Sequence, residues 1–168
     1  MSTTERVNEI EARLNEAGAE PLRDGDELIA RLGSTAVFIT VRDTPRDDGT
    51  TAEIATLVAP LRIDIPISEP DERVRLMTVV NNMNLGMPWV KFVYESNEET
   101  MTFELKQIDH VLCVPFDPEL VCEAAGEIAQ SADYLDDHDL LKSFGGQRLG
   151  DAFGFSPEDS PQGGGIDV

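Results

Sequence analysis

Residues Val74 to Leu105 read VRLMTVVNNMNLGMPWVKFVYESNEETMTFEL, and the two halves of this stretch carry different periods. Leu76, Val79, Val80, Met83 and Met87 recur at i, i+3, i+4, i+7 and i+11, which is one face of a helix. Pro70 and Asp71 suit its first turn, because Pro has no donor to orphan there and Asp complements the positive end of the dipole. Gly86 and Pro88 stop it. After the stop the period falls to two. Val90, Phe92 and Tyr94 alternate with Lys91, Val93 and Glu95; Ser96 to Glu99 turns the chain; Met101, Phe103 and Leu105 alternate with Thr102, Glu104 and Lys106. This is an antiparallel hairpin with one wet face.

Val74 and Met77 add a second apolar strip beside the main face of the helix. A strip wider than the core stripe must be buried by something. Either the chain itself covers it, or a second subunit or partner does.

Upstream, Ser2-x-x-Glu5 matches a capping box. Val7, Ile10, Leu14 and Ala17 then predict a first helix from Thr3 to Ala17, closed by Gly18. Glu27 to Leu32 reads as a first strand, and Ala36 to Arg42 as a second that is apolar on both faces and therefore central. Asp43 to Thr51 is a polar loop. Glu53 to Ile65 is strand again, interrupted at Pro60, which demands an edge, a bulge or two short pieces because Pro cannot donate to a ladder. Downstream, Ile108 to Phe116 reads as an extended apolar link. Asp117-Pro118 opens a third helix, with Val121, Ala124, Ala125, Ile128, Ala132 and Leu135 as its stripe. From Ser143 onward Gly, Ser, Pro and Asp dominate, so residues 1–142 are read as the domain and 143–168 as a flexible tail. Phe144, Leu149, Phe153 and Phe155 are its apolar exceptions. The sum is an α+β chain, a sheet of about five antiparallel strands with helices packed on it, in the order α-β-β-β-α-β-β-α.

This order, with Asn81-x-x-Asn84 at the end of the second helix and a strand pair directly after it, resembles the YbjN-like family of bacterial sensory transduction regulators. The resemblance spans roughly Glu27 to Leu135 and is carried by Val80 to Glu95 (VNNMNLGMPWVKFVYE). It implies the fold that this family shares with type III secretion chaperones, and a regulatory role exerted by protein contact. The Asp43–Thr51 loop and the residues after Ser143 lie outside the pattern. Asn81, Asn84 and Gly86 are read as structural, since Asn bonds local backbone and tolerates left-handed dihedrals at a helix end.

Composition narrows the function. The 168 residues carry 33 acidic and 13 basic side chains, a formal net charge of -20, which repels nucleic-acid phosphates and anionic headgroups. The start MSTTERVNEI has neither a basic nor an apolar leader region, and no apolar run approaches bilayer length, so a cytoplasmic location is expected. Chemistry is hard to find. Cys113 and Cys122 are too few for a disulfide framework and lack the spacing of a metal site, with or without His110. Asp136-Asp137-His138-Asp139 cannot converge on one ion from adjacent helical positions. Asp43, Asp47, Asp48 and Gly49 miss the calcium-loop spacing, and Gly145 to Gly150 lacks the Lys-Ser/Thr of a phosphate loop. No catalytic residue, metal or cofactor is assigned. The expectation is a non-enzymatic protein-binding module, homodimeric, with no nucleic acid or membrane partner. Its surface for a partner or a second copy comprises Met77, Val80, Met83, Leu85, Met87 and Trp89. The alternative is a ligand sensor or an enzyme with a carboxylate site between helix and sheet.

Overall fold

The computed structural model describes residues 1–66, 69–87, 90–97, 100, 102–137 and 139–153, with the side chains of 136–140 and 153 left aside. The first helix, α1 (Thr3–Glu16), starts on the capping box: the Ser2 hydroxyl accepts from the Glu5 N–H, and the Glu5 carboxylate accepts from the Ser2 N–H at 2.6 Å. Val7, Ile10 and Leu14 form its buried face, and Gly18 continues the chain with φ 79°.

Six antiparallel strands follow: β1 (Leu22–Asp24), β2 (Glu27–Leu32), β3 (Thr35–Pro45), β4 (Thr51–Pro66), β5 (Lys91–Asn97) and β6 (Thr102–Cys113). They lie side by side as β1-β2-β3-β4-β6-β5. Between them run α2 (Pro70–Gly86) and, after the last strand, α3 (Pro118–Asp137), α4 (Asp139–Lys142) and α5 (Leu149–Phe153). The α+β class and the order of the main elements are those read from the sequence. Three details differ. The three-residue strand β1 was not anticipated, being too short and polar to show a period. The polar loop after Arg42 shrinks, because β3 and β4 pair as far as Pro45 opposite Thr51. The link from Ile108 is no link: β6 runs unbroken to Cys113 and pairs with β4 along that length.

Pro60 falls inside β4 just past Val58, where pairing with β3 ends, and is registered with β6 alone, opposite Lys106. The missing N–H costs little where no second ladder needs it, and on the β6 side the register slips between Pro60 and Arg62 and again before Ile65. Asp64 takes φ 54° within this bulge. The bulge is held by chain from far downstream. Ile63 and Gln147 exchange two main-chain hydrogen bonds of 2.9 Å, the Arg62 guanidinium donates to the Gly146 carbonyl, and the Gln147 amide donates to Asp64. Phe144 and Leu149, two of the four apolar exceptions noted above, sit against the core or within it; the side chains of Phe153 and Phe155 lie outside those described.

The core lies on one side of the sheet. Leu28 and Ala30, Val37, Ile39 and Val41, Ala55, Leu57 and Ala59, Phe103, Leu105 and Val111 all point to it, and α1, α3 and part of α2 close over them. Cys113 and Cys122 belong to this packing, each thiol donating to a main-chain carbonyl. Arg6 ties the first helix down. Its guanidinium is buried and bonds Asp43 at 2.6 Å, Glu53 at 2.5 Å and the Met1 carbonyl. Asp43 and Glu53 face each other across the β3–β4 ladder, so Arg6 neutralises a like-charge pair that would otherwise oppose the pairing.

Two outcomes follow from this packing. Arg6→Ala leaves the two carboxylates facing each other beside an apolar helix; urea unfolding should register a loss of about 2–4 kcal/mol, the low end reflecting the partial exposure of Asp43. Burial pushes the Cys122 thiol up to about 11, so iodoacetamide at pH 8 should alkylate it at roughly a hundredth or less of the rate seen in urea-unfolded chain. Comparable rates in the two states would show that the thiol is open.

Candidate functional site

The residues singled out on α2 divide into two groups. Leu76 and Val80 are buried, Val80 at 4% exposure, and Val79, Met83 and Met87 are half-buried on the same side. Val80, Met83 and Met87 are thus committed to the protein's own core. Met77 at 38% and Leu85 at 82% exposure are not, and Val74 joins them. At 100° per residue, Val74, Met77 and Leu85 fall on one strip, with the exposed Asn81 in its middle. The second apolar strip predicted for this helix is therefore present and uncovered in the single chain. Trp89 lies outside the described residues.

Asn84 does more than end a helix. Its side-chain oxygen accepts from the Phe92 N–H at 2.8 Å, and its side-chain nitrogen donates to the Phe92 carbonyl at 2.9 Å. One carboxamide thus clasps α2 to β5. Asn81 is exposed, and Gly86 is the last helical residue without taking a left-handed φ.

The larger surface was not assigned from the sequence. The described helices pack on one face of the sheet, and the other face carries a continuous apolar row. Leu22 pairs with Ile29, Ile29 with Phe38, Phe38 with Val58 and Val58 with Ile108. Opposite Ile108 stands Lys91 on β5, so the apolar row spans five strands and ends at a cation on the sixth. Ile29, Phe38, Val58 and Ile108 are only half-buried, by one another, and Leu22 is exposed. Ile54 and Leu112 form a second apolar pair on this face. A polar row, Glu27, Thr40, Thr56 and His110, separates the two. The Thr56 hydroxyl and His110 Nδ1 are 3.1 Å apart.

Charge is distributed unevenly. By register, the open face holds Arg31, Arg42, Lys91 and Lys106 against Asp24, Glu27, Glu95 and Glu104, a balance of four and four in a chain of net charge -20. Apolar contact here meets no net repulsion. Lys106 bonds Glu95 at 2.6 Å and Glu104 at 3.0 Å. Burial works to lower its pKa, but the two carboxylates outweigh this and hold the ammonium above the usual lysine value.

The residues weighed for chemistry scatter. Among the described residues no three His, Cys, Asp or Glu side chains converge as a metal site. Asp43 turns to Arg6, whereas Asp48 accepts from the N–H and hydroxyl of Thr50, which lowers its pKa. Asp136 to Asp139 lie outside the side chains described. Two clefts among the described residues, one beside Arg73 and Phe144 and one beside Pro60 and Leu149, have volumes of about 30 and 10 Å³. No described helix is long and apolar enough to cross a membrane.

None of the curated proteins matches the chain. Residues 5–152 match a family model described as T3SS (YopN, CesT) and YbjN peptide-binding chaperone 1. That match takes in all but the first two residues of α1, the whole sheet, the clasped end of α2 and the segment that braces the β4 bulge. The chain belongs to this peptide-binding chaperone family, TY-Chap1, which joins the YbjN proteins to the type III secretion chaperones.

Proposed function

We propose that this protein holds an extended segment of another protein against the open face of its sheet, without catalysing a reaction, and regulates that partner by occupancy. The observation that supports this reading is the apolar row Leu22–Ile29–Phe38–Val58–Ile108. An antiparallel sheet with one dry face normally turns polar residues to water on the other. Five apolar side chains in register across successive strands are suited to an extended chain lying across them, each buried contact contributing about 1.5–3 kcal/mol. The electrical neutrality of the face lets apolar contact set the affinity, while the acidic remainder of the surface speeds the approach of basic partners and disfavours nucleic acid.

The exposed strip of α2 has a separate use in this reading: Met77 and Leu85, with Trp89 and the flank of Met83 and Met87, join two copies into a homodimer. The open face of each copy then remains available, and the dimer presents two holding surfaces.

Two measurements test these statements. On an immobilised panel of fifteen-residue peptides graded in apolar content and charge, wild type should retain the apolar, basic members. Val58→Lys or Ile108→Lys should weaken that retention roughly tenfold or more, with unchanged circular dichroism. Retention that ignores both substitutions would sink the open-face assignment. In sedimentation velocity the wild type should run as a dimer and Met77→Glu/Leu85→Glu as a folded monomer; a monomeric wild type would end the dimer reading.

A further inference from the structure

The apolar row of the open face ends differently at its two edges. On the β5 side it stops at Lys91, which is registered with Ile108 and stands in line with the row. On the β1 side Asp24 and Glu27 face each other across the ladder, on the same face as Leu22 and Ile29 and two residues away along each strand. Carboxylates directly opposite each other work against strand pairing unless a cation joins them. Among the described residues no cation bonds either of them, and no carboxylate bonds Lys91.

The other cations of this face are engaged or stand aside. Lys106 holds Glu95 and Glu104. Arg31 has a partner. Arg42 is registered with Ile54, two rows away from the apolar row. The charges left over near the row are therefore sorted, two carboxylates at one end and one ammonium at the other. The even balance of the whole face hides this separation. Its length is set by the sheet. Six strands about 4.8 Å apart put Lys91 about 24 Å from the β1 edge. An extended chain covers that distance in about seven residues of about 3.4 Å each.

We infer that the row selects its guest by charges at the two ends: Lys or Arg over Asp24 and Glu27, Asp or Glu over Lys91, about seven residues apart with apolar side chains between. This rests on the peptide-binding reading and adds which stretch of a partner settles on the face. Apolar contact alone cannot fix that register. Side chains on one side of an extended chain repeat about every 6.8 Å, whereas the row repeats about every 4.8 Å. The end charges supply the missing register. Attraction of basic partners by the acidic surroundings governs approach; the end charges act within about 10 Å, after arrival. A second copy turned end for end would meet the same end charges, but it would bring a further net charge of -20 against this one. The occupant is a segment of another protein, as the description of the family as peptide-binding also favours.

The test uses two capped, fluorescent eight-residue peptides of one composition. In the first, Lys and Glu are the terminal residues and six alternating Val and Thr residues separate them. In the second, Lys and Glu are adjacent at one end. A third peptide has Gln in place of both charges and reads apolar contact alone. In low salt the wild type should bind the first about threefold to tenfold more tightly than the second, the worth of two partly exposed ion pairs. Salt at about 0.5 M should erase the difference. Lys91→Glu should reverse the order of the two, and Asp24→Asn/Glu27→Gln should bring them within about twofold. Both variants should keep the wild-type circular dichroism and the wild-type affinity for the Gln peptide. Equal binding of the two charged peptides by wild type overturns the inference; if Val58→Lys still releases them, the peptide-binding reading stands. A preference that survives both sets of substitutions overturns it too. Binding of none of the three by wild type does the same, and the graded panel then judges the broader reading. If Lys91→Glu splits a dimer in sedimentation velocity while the charged peptides bind alike, the face belongs to a second copy and the inference falls.

Discussion

The covering of only one face of a six-stranded sheet is the constraint from which the rest follows. A single layer of helices gives the sheet one core, and the residues of that core set every register: Leu28, Ile39, Leu57 and Leu105 must face the helices. Because side chains alternate along a strand, this choice also fixes what faces water. The polar and apolar rows of the open face are the remainder left after the core has been assigned. Their order across the strands is thus inherited from the packing on the far side.

The buried arginine and the downstream brace serve the same constraint. Arg6 lets two carboxylates face each other across the β3–β4 ladder, and so ties α1 to that long pair of strands. At the other end of β4, Pro60 forces a slip in register that would leave main-chain groups without partners. Gln147 supplies the missing main-chain bonds at Ile63, and the Gly146 carbonyl accepts from the Arg62 guanidinium. Gly146 is suited to this, since it takes φ 70° and a Cβ there would come within 2.5 Å of the Ile63 carbonyl.

Much of this was legible in the sequence because the signals were local. Ser2 and Glu5 announce α1, the stripe through Val121, Ala125, Ile128 and Ala132 announces α3, and Pro60 announces a break in the regular ladder, of which the bulge is one of the forms expected. Expectations that depended on neighbours fared less evenly. Ile108 to Cys113 looked like a link because period two is weak there; it is strand because Ile54, Thr56 and Val58 lie beside it. Within α2, sequence found two apolar strips but could not tell which the core would take, and Val80 went to the core while Leu85 stayed outside. Asn84 was read as a helix end, and its reach to Phe92 became visible only once β5 had been placed. The row on the open face left no trace in any single segment, since Leu22, Ile29, Phe38, Val58 and Ile108 come from five strands.

The brace on the β4 bulge has a consequence for how the chain acquires its shape. Ile63 meets Gln147 after 84 intervening steps along the chain, so the second half of β4 lacks its full set of bonds until almost the whole domain exists. Contacts of such long span carry a loop-closure cost and form late. During synthesis the sheet can close from β1 through the first half of β4 while the ribosome is still making α3. The stretch from Arg62 to Ile65 is finished afterwards, and until then it is the segment most open to proteases and chaperones.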